Sequence, residues 1–176
     1  MKKLINKKYI PIYLILFFMA RYGFGKITEY ILQRPDITPH PIDVHILECF
    51  KFFDANYVQN AVQSGYNKVN YFKLFFPLDL VFPIIYTLLF FSILSQFKGK
   101  IFYKWASGLI ITGCLLDYGE NFSFAFYLIS NFNPLSFIVA FFTSVKSIVF
   151  AFNCLFALGG LLVLIINFIK NLLKSK

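Results

Sequence analysis

Residues Leu74–Phe97 read LFFPLDLVFPIIYTLLFFSILSQF, and Asp79 is the one formal charge among them. A run this long and apolar suits a helix across a hydrocarbon core of about 30 Å. Three more apolar stretches lie at about Tyr9–Phe24, Trp105–Ile129 and Ser147–Ile169. The chain has 176 residues, of which 59% are hydrophobic and 21% aromatic. A soluble domain of that length could not hide so much apolar surface, so lipid must be the solvent for most of it. The pattern predicts an all-α fold: a four-helix transmembrane bundle with an extra amphipathic helix in a long outer loop. One integral membrane domain covers 1–176, with helices over about 9–32, 72–97, 104–129 and 135–170 and the loop at 33–71. Trp105, Tyr9, Tyr71 and Tyr103 fall near the expected boundaries, where interfacial aromatics collect.

Charge orients the bundle. Lys2, Lys3, Lys7 and Lys8 precede the first helix, Lys98, Lys100 and Lys104 join the second and third, and Lys170, Lys174 and Lys176 follow the fourth. These are ten of the 17 basic residues. Five of the eight acids (Glu29, Asp36, Asp43, Glu48 and Asp54) lie in or beside the long first connection. By the positive-inside rule both termini are cytoplasmic and the loop is external, as expected of a bacterial inner-membrane protein. The net charge of +9 is then a topology signal. The lysines are split among short pieces that attract anionic headgroups, and no basic face for nucleic acid results.

The N-terminal lysines followed by Tyr9–Ala20 also resemble the start of a secretory signal. A small-x-small cleavage site is absent and Arg21 follows at once, which favours a retained helix. In the outer loop Pro35, Pro39 and Pro41 predict an extended start. From Ile42, the residues Ile46, Cys49, Phe50, Phe53 and Tyr57 recur at helical spacing, predicting a surface helix. His40, Asp43, His45 and Cys49 offer no repeated ligand pair of the kind a zinc site needs. Neither a metal nor a cofactor is expected. Cys114 and Cys154 lie in apolar helices, where cysteine acts as a small hydrophobe.

The remaining acids are the informative ones. Asp79, Asp117 and Glu120 sit inside predicted spans, where a charge costs roughly 2.5 to 3.5 kcal/mol and usually faces a bundle interior. At about 1.5 Å per residue, Asp79, Glu120, Asn153 and Arg21 all fall roughly 10 to 13 Å below the outer surface, with Asp117 a turn deeper. Asp117, Glu120 and Asn121 share one helix face at i, i+3, i+4, and Gly113 lies on the same stripe. Asn153, Ala157 and Gly160 form a stripe small enough for close helix contact. Pro83 stands four residues after Asp79, so it removes the helical hydrogen bond to the Asp79 carbonyl and frees that acceptor. Tyr86 and Thr87 continue the polar lining. Arg21 is expected to neutralise Asp79 or Glu120. Like charges and desolvation both penalise ionising all three acids, so at least one, Asp117 first, is expected to be neutral.

LDLVFPIIY at Leu78–Tyr86, preceded by the segment Gly65–Tyr71, and DYGEN at Asp117–Asn121 resemble elements of a group of small, uncharacterised bacterial four-helix membrane proteins. Those proteins carry LD-x-x-FP-x-x-Y on the second helix and D-x-x-EN on the third. In topology, and in FKLFFPLDLVFP around Asp79, the chain also resembles the EXPERA superfamily of sterol isomerases and the sigma-2 receptor. That resemblance implies four helices, a long first connection and acids lining a ligand cavity. The superfamily's full acid and histidine pattern is not recognisable here, so the implication stops short of isomerase chemistry.

Together these features predict a small multi-pass membrane protein that binds a lipid-like or small hydrophobic ligand in an outer-leaflet cavity. Asp79, Asp117, Glu120, Asn121, Arg21, Asn153 and Tyr86 are the candidate ligand-binding residues. A non-catalytic assembly subunit of a larger membrane complex is the rival reading, and a lipid enzyme using acid/base chemistry is the third. The partners expected are lipid, or further subunits of a homo- or hetero-oligomer.

Overall fold

The computed structural model describes residues 4–32, 54–56, 58–59, 68–99 and 101–174. Among these residues the protein is all-helical and built on four long helices. A short turn at Lys7–Tyr9 leads into α1 (Ile10–Leu32). Asn6 starts that turn, its side-chain oxygen accepting the Lys8 N–H at 3.2 Å, because a helix start leaves backbone donors without partners. Lys68–Asn70 and a π-helical turn at Tyr71–Phe75 run into α2 (Phe76–Leu94), which ends in a turn at Ser95–Phe97. Pro77 has no N–H to offer the Lys73 carbonyl, and the wider π turn sits where that bond would have closed. The turn leaves Tyr71 and Phe75 both buried.

The third helix, α3 (Ile101–Ser130), and the fourth, α4 (Pro134–Lys174), are joined by Asn131–Asn133. Asn131 closes α3 in a left-handed conformation, φ 51°, which asparagine tolerates better than most residues. Its N–H donates to the Tyr127 carbonyl at 2.9 Å. Pro134 lacks only a donor that a first helical turn would not use, so it opens α4 without penalty.

Packing is unequal among the four. The α3–α4 hairpin is the most extensive pair; α2 lies against both members, and α1 packs chiefly on α2. Rings make the α1–α2 seam: Phe17 meets Phe82 with centroids 5.3 Å apart, and Phe24 meets Phe75 at 5.0 Å. On the other side of α2, Tyr86 and Phe90 meet Phe150 of α4 at 5.4 and 5.9 Å. At Gly160 of α4 an added Cβ would stand 2.6 Å from the Ile93 methyl. There Gln96 donates its side-chain N–H to the Gly160 carbonyl at 2.7 Å. Small residues allow α2 and α4 to touch at this end, as they do in membrane helix pairs.

Among the described residues, three segments are long and apolar enough to cross a membrane: Lys7–Ile27, Tyr71–Phe97 and Pro134–Asn171. That is consistent with an integral membrane protein. The helix α3 is 30 residues long, but Lys104, Asp117, Glu120 and Asn121 dilute its apolar character. The amphipathic helix expected from Ile42 to Tyr57 lies mostly outside the described residues, as do His40, Asp43, His45 and Cys49. Just beyond it Val58 is buried, and Gln59 donates to the Ser136 hydroxyl at 2.9 Å at the start of α4.

Candidate functional site

The three acids of the apolar helices are buried: Asp79 is 5% exposed, Asp117 4% and Glu120 0%. They stand where α2, α3 and α4 meet. Hairpin geometry brings α3 and α4 into register here, because Glu120 and Asp117 precede the Asn131–Asn133 turn by about the distance at which Thr143 and Lys146 follow it. Thr143 donates its hydroxyl to Glu120 Oε1 at 2.6 Å. Lys146 Nζ contacts Asp117 Oδ1 at 3.1 Å and also pairs with Glu120 Oε2. One ammonium thus bridges two carboxylates a helical turn apart on the facing helix. Asp79 acts electrostatically on the same Lys146 from α2.

Two tyrosines flank the acids. Tyr71, fully buried, lies near Asp79 and Glu120. Tyr86 is 1% exposed, and its hydroxyl faces Asp117 without completing a hydrogen bond of standard geometry. Thr87 sits beside the Cys114 thiol on the next turn of α3.

The break in α2 is closed from α3. Pro83 frees the Asp79 carbonyl, and the Asn121 amide donates to that oxygen at 2.9 Å. Tyr118 adds a second cross-link, its hydroxyl donating to the Leu80 carbonyl at 2.9 Å. Asn121 therefore carries a structural duty through its N–H group, while its Oδ1 has no partner among the described residues. Next to Glu120, Gly119 is pressed against Phe142: an added Cβ would lie 2.7 Å from the ring.

Two expectations are corrected. Arg21 does not join the acids; it is exposed. Phe24, Ala20, Phe17, Tyr13 and Ile10 form the stripe that α1 turns towards α2, and Arg21, one residue on from Ala20, is rotated about 100° away from it. Gly23 is against Leu78, so Arg21 lies at the level of Asp79 but on the opposite side of its helix. Asn153 is also displaced from the cluster. It is buried and donates to the Leu109 carbonyl at 3.2 Å, about two turns from Lys146 along α4.

Lys146 is the residue that sequence reasoning missed, because the apolar stretch Ser147–Ile169 begins one residue after it and leaves it outside the predicted span. Counting outward from the Asn131–Asn133 turn would have found it. Thr143 and Lys146 are spaced i, i+3, matching Asp117 and Glu120 on the other arm. In comparison with known proteins, no family model, no curated protein and no solved structure matches this chain.

Proposed function

We propose that this is a multi-pass protein of the bacterial inner membrane whose four helices all cross the bilayer, and that it binds a lipid-like or small hydrophobic ligand at the acid cluster. The observation that carries the reading is the charge of the α3–α4 pair. Asp117 and Glu120, both buried, share the single ammonium of Lys146. A purely structural pair needs one acid, and a second buried carboxylate is costly unless something further is offered to it. A ligand hydroxyl, carbonyl or amide fits that chemistry. Tyr71 and Tyr86, with aromatic faces and polar tips, suit the boundary between a polar headgroup and an apolar body.

The reading is tested by extracting the protein in mild detergent and identifying co-purifying lipids by native mass spectrometry. Wild type should retain one lipid class well above its share of the membrane, and Asp79→Asn should retain less while staying folded. Bound lipid that merely mirrors the bulk membrane would overturn it. The assembly-subunit reading rests on a different observation: α4 continues well past Gly160, and Leu162, Ile165, Ile166, Phe168 and Ile169 on that extension are exposed.

A further inference from the structure

Below the acid cluster, on the side of Lys98 and Lys104, buried polar atoms recur at intervals through the three-helix core. The α2–α3 and α3–α4 contacts fix their levels. Leu80 meets Tyr118 and Thr87 meets Cys114, which sets Ser92 opposite Ser107. Asn153 meets Leu109, and Gln96 meets Gly160.

From Asp117 downward the sequence is therefore Tyr86 and Thr87, then Asn153, then Ser92 with Ser107, then Gln96. Measured along α3 these levels lie roughly 5, 10, 15 and 20 Å from Asp117. The Tyr86 hydroxyl beside Asp117 and Thr87 Oγ1 beside the Cys114 thiol complete no hydrogen bond of standard geometry, and buried Asn153 Oδ1, Ser92 Oγ and Ser107 Oγ have no partner among the described residues. Tyr86 and Asn153 are each 1% exposed and Ser92 0%.

A buried hydroxyl or amide without a partner costs about 1 to 3 kcal/mol, so native interiors hold few such atoms and commonly satisfy them with internal water. Five at successive levels of one three-helix contact, spaced about 5 Å apart along it, is a different situation from scattered exceptions. Membrane interiors tolerate such atoms where they line a wet path.

We propose that water fills this file and carries a proton between the lysine-rich end of the bundle and the Asp117–Glu120 pair. The proton enters from hydronium at the Gln96–Gly160 level. Each water in the file gains one O–H bond and gives up another, and the last transfer forms an O–H bond on a carboxylate oxygen. No electron or further reactant takes part. The pair can hold the proton because Lys146 neutralises only one of its two acids. The groups facing the pair are Lys146 and Thr143 from α4, Tyr86 from α2, Tyr71 ahead of it, and Cys114 and Tyr118 on α3 itself. Asp79 acts through Lys146, and Arg21 of α1 is turned away. This exchange goes beyond ligand binding and does not rest on it.

The test is infrared spectroscopy of the protonated carboxyl band after transfer to heavy water. In wild type the band should be present at neutral pH and shift promptly as the proton exchanges. The triple variant Thr87→Val, Ser92→Ala, Ser107→Ala replaces unpartnered polar atoms by apolar ones of similar shape, a change that is close to neutral for folding. Its band should persist, with exchange slowed about tenfold or more, as one added barrier of about 1.4 kcal/mol would produce. Absence of the band in wild type, or an unchanged exchange rate in the triple variant, overturns the proposal. Should the variant fail to accumulate, an experimental structure of wild type that resolves water decides. Ordered water between Asn153, Ser92 and Ser107 supports the file, and a dry core there overturns it.

Discussion

Lys146 is the residue on which the cluster turns. It touches two buried carboxylates, so Lys146→Met leaves both without their cation. Removing one member of a buried ion pair costs about 3 to 5 kcal/mol. The variant should lose accumulation and unfold at lower temperature in detergent. Adding Glu120→Gln to Lys146→Met should recover much of that loss, since an amide tolerates the site without a counter-charge. Arg21→Ala provides the contrast. Its side chain is exposed on the far face of α1, and a substitution there should stay within about 0.5 kcal/mol. A collapse of Arg21→Ala beside a stable Lys146→Met would reverse the assignment.

At the scale of single helices, the informative event is the repair of α2 by α3. The acceptor that Pro83 strands is met by Asn121 at 2.9 Å. Asn121→Leu keeps the volume and removes the donor, which should cost about 1 to 3 kcal/mol in thermal unfolding. Pro83→Ala returns an N–H to the same carbonyl, so the double variant should be more stable than Asn121→Leu alone. Equal stability of the two would mean that the Asp79 carbonyl finds another donor. The freed carbonyl at Asp79 was readable in the sequence from the Asp79–Pro83 spacing, as was the shared face of Asp117, Glu120 and Asn121. Which way each helix turns was not. When a helix is apolar on every side, amphipathic periodicity gives no inward direction. Arg21 and Lys146 could each have faced the acids by spacing alone. Only packing separates them: α1 packs chiefly on α2 and the turn before it, while α3 and α4 form the most extensive pair.

For the whole molecule, the sequence made four helices and a predominantly apolar chain legible, because length and composition bound both. The arrangement, with α2 in the middle and α1 as its outer neighbour, follows from ring and glycine contacts that no single segment reveals. Orientation is the prediction proper to this scale. Reporter tags at both ends should read cytoplasm and a tag near Asn60 should read the outside, since the lysines gather at the termini and at the α2–α3 link. An external N-terminus would reverse the bundle in the membrane and turn its lysine-rich end outward.

The length of α4 has a mechanical consequence. Its 41 residues extend roughly 60 Å, about twice the hydrocarbon thickness of a bilayer. Leaning alone cannot absorb that excess, because fitting it would need a tilt of roughly 60°, beyond the 0–40° that spanning helices adopt. Some turns of α4 must stand clear of the hydrocarbon, and how many depends on the thickness of the host membrane. With α4 across a bilayer, a thicker membrane would immerse more of the exposed apolar stretch from Leu162 to Ile169, and a thinner one would lift some of it into the headgroups at a cost. Reconstitution in lipids of graded chain length should therefore show stability rising with thickness before it levels off.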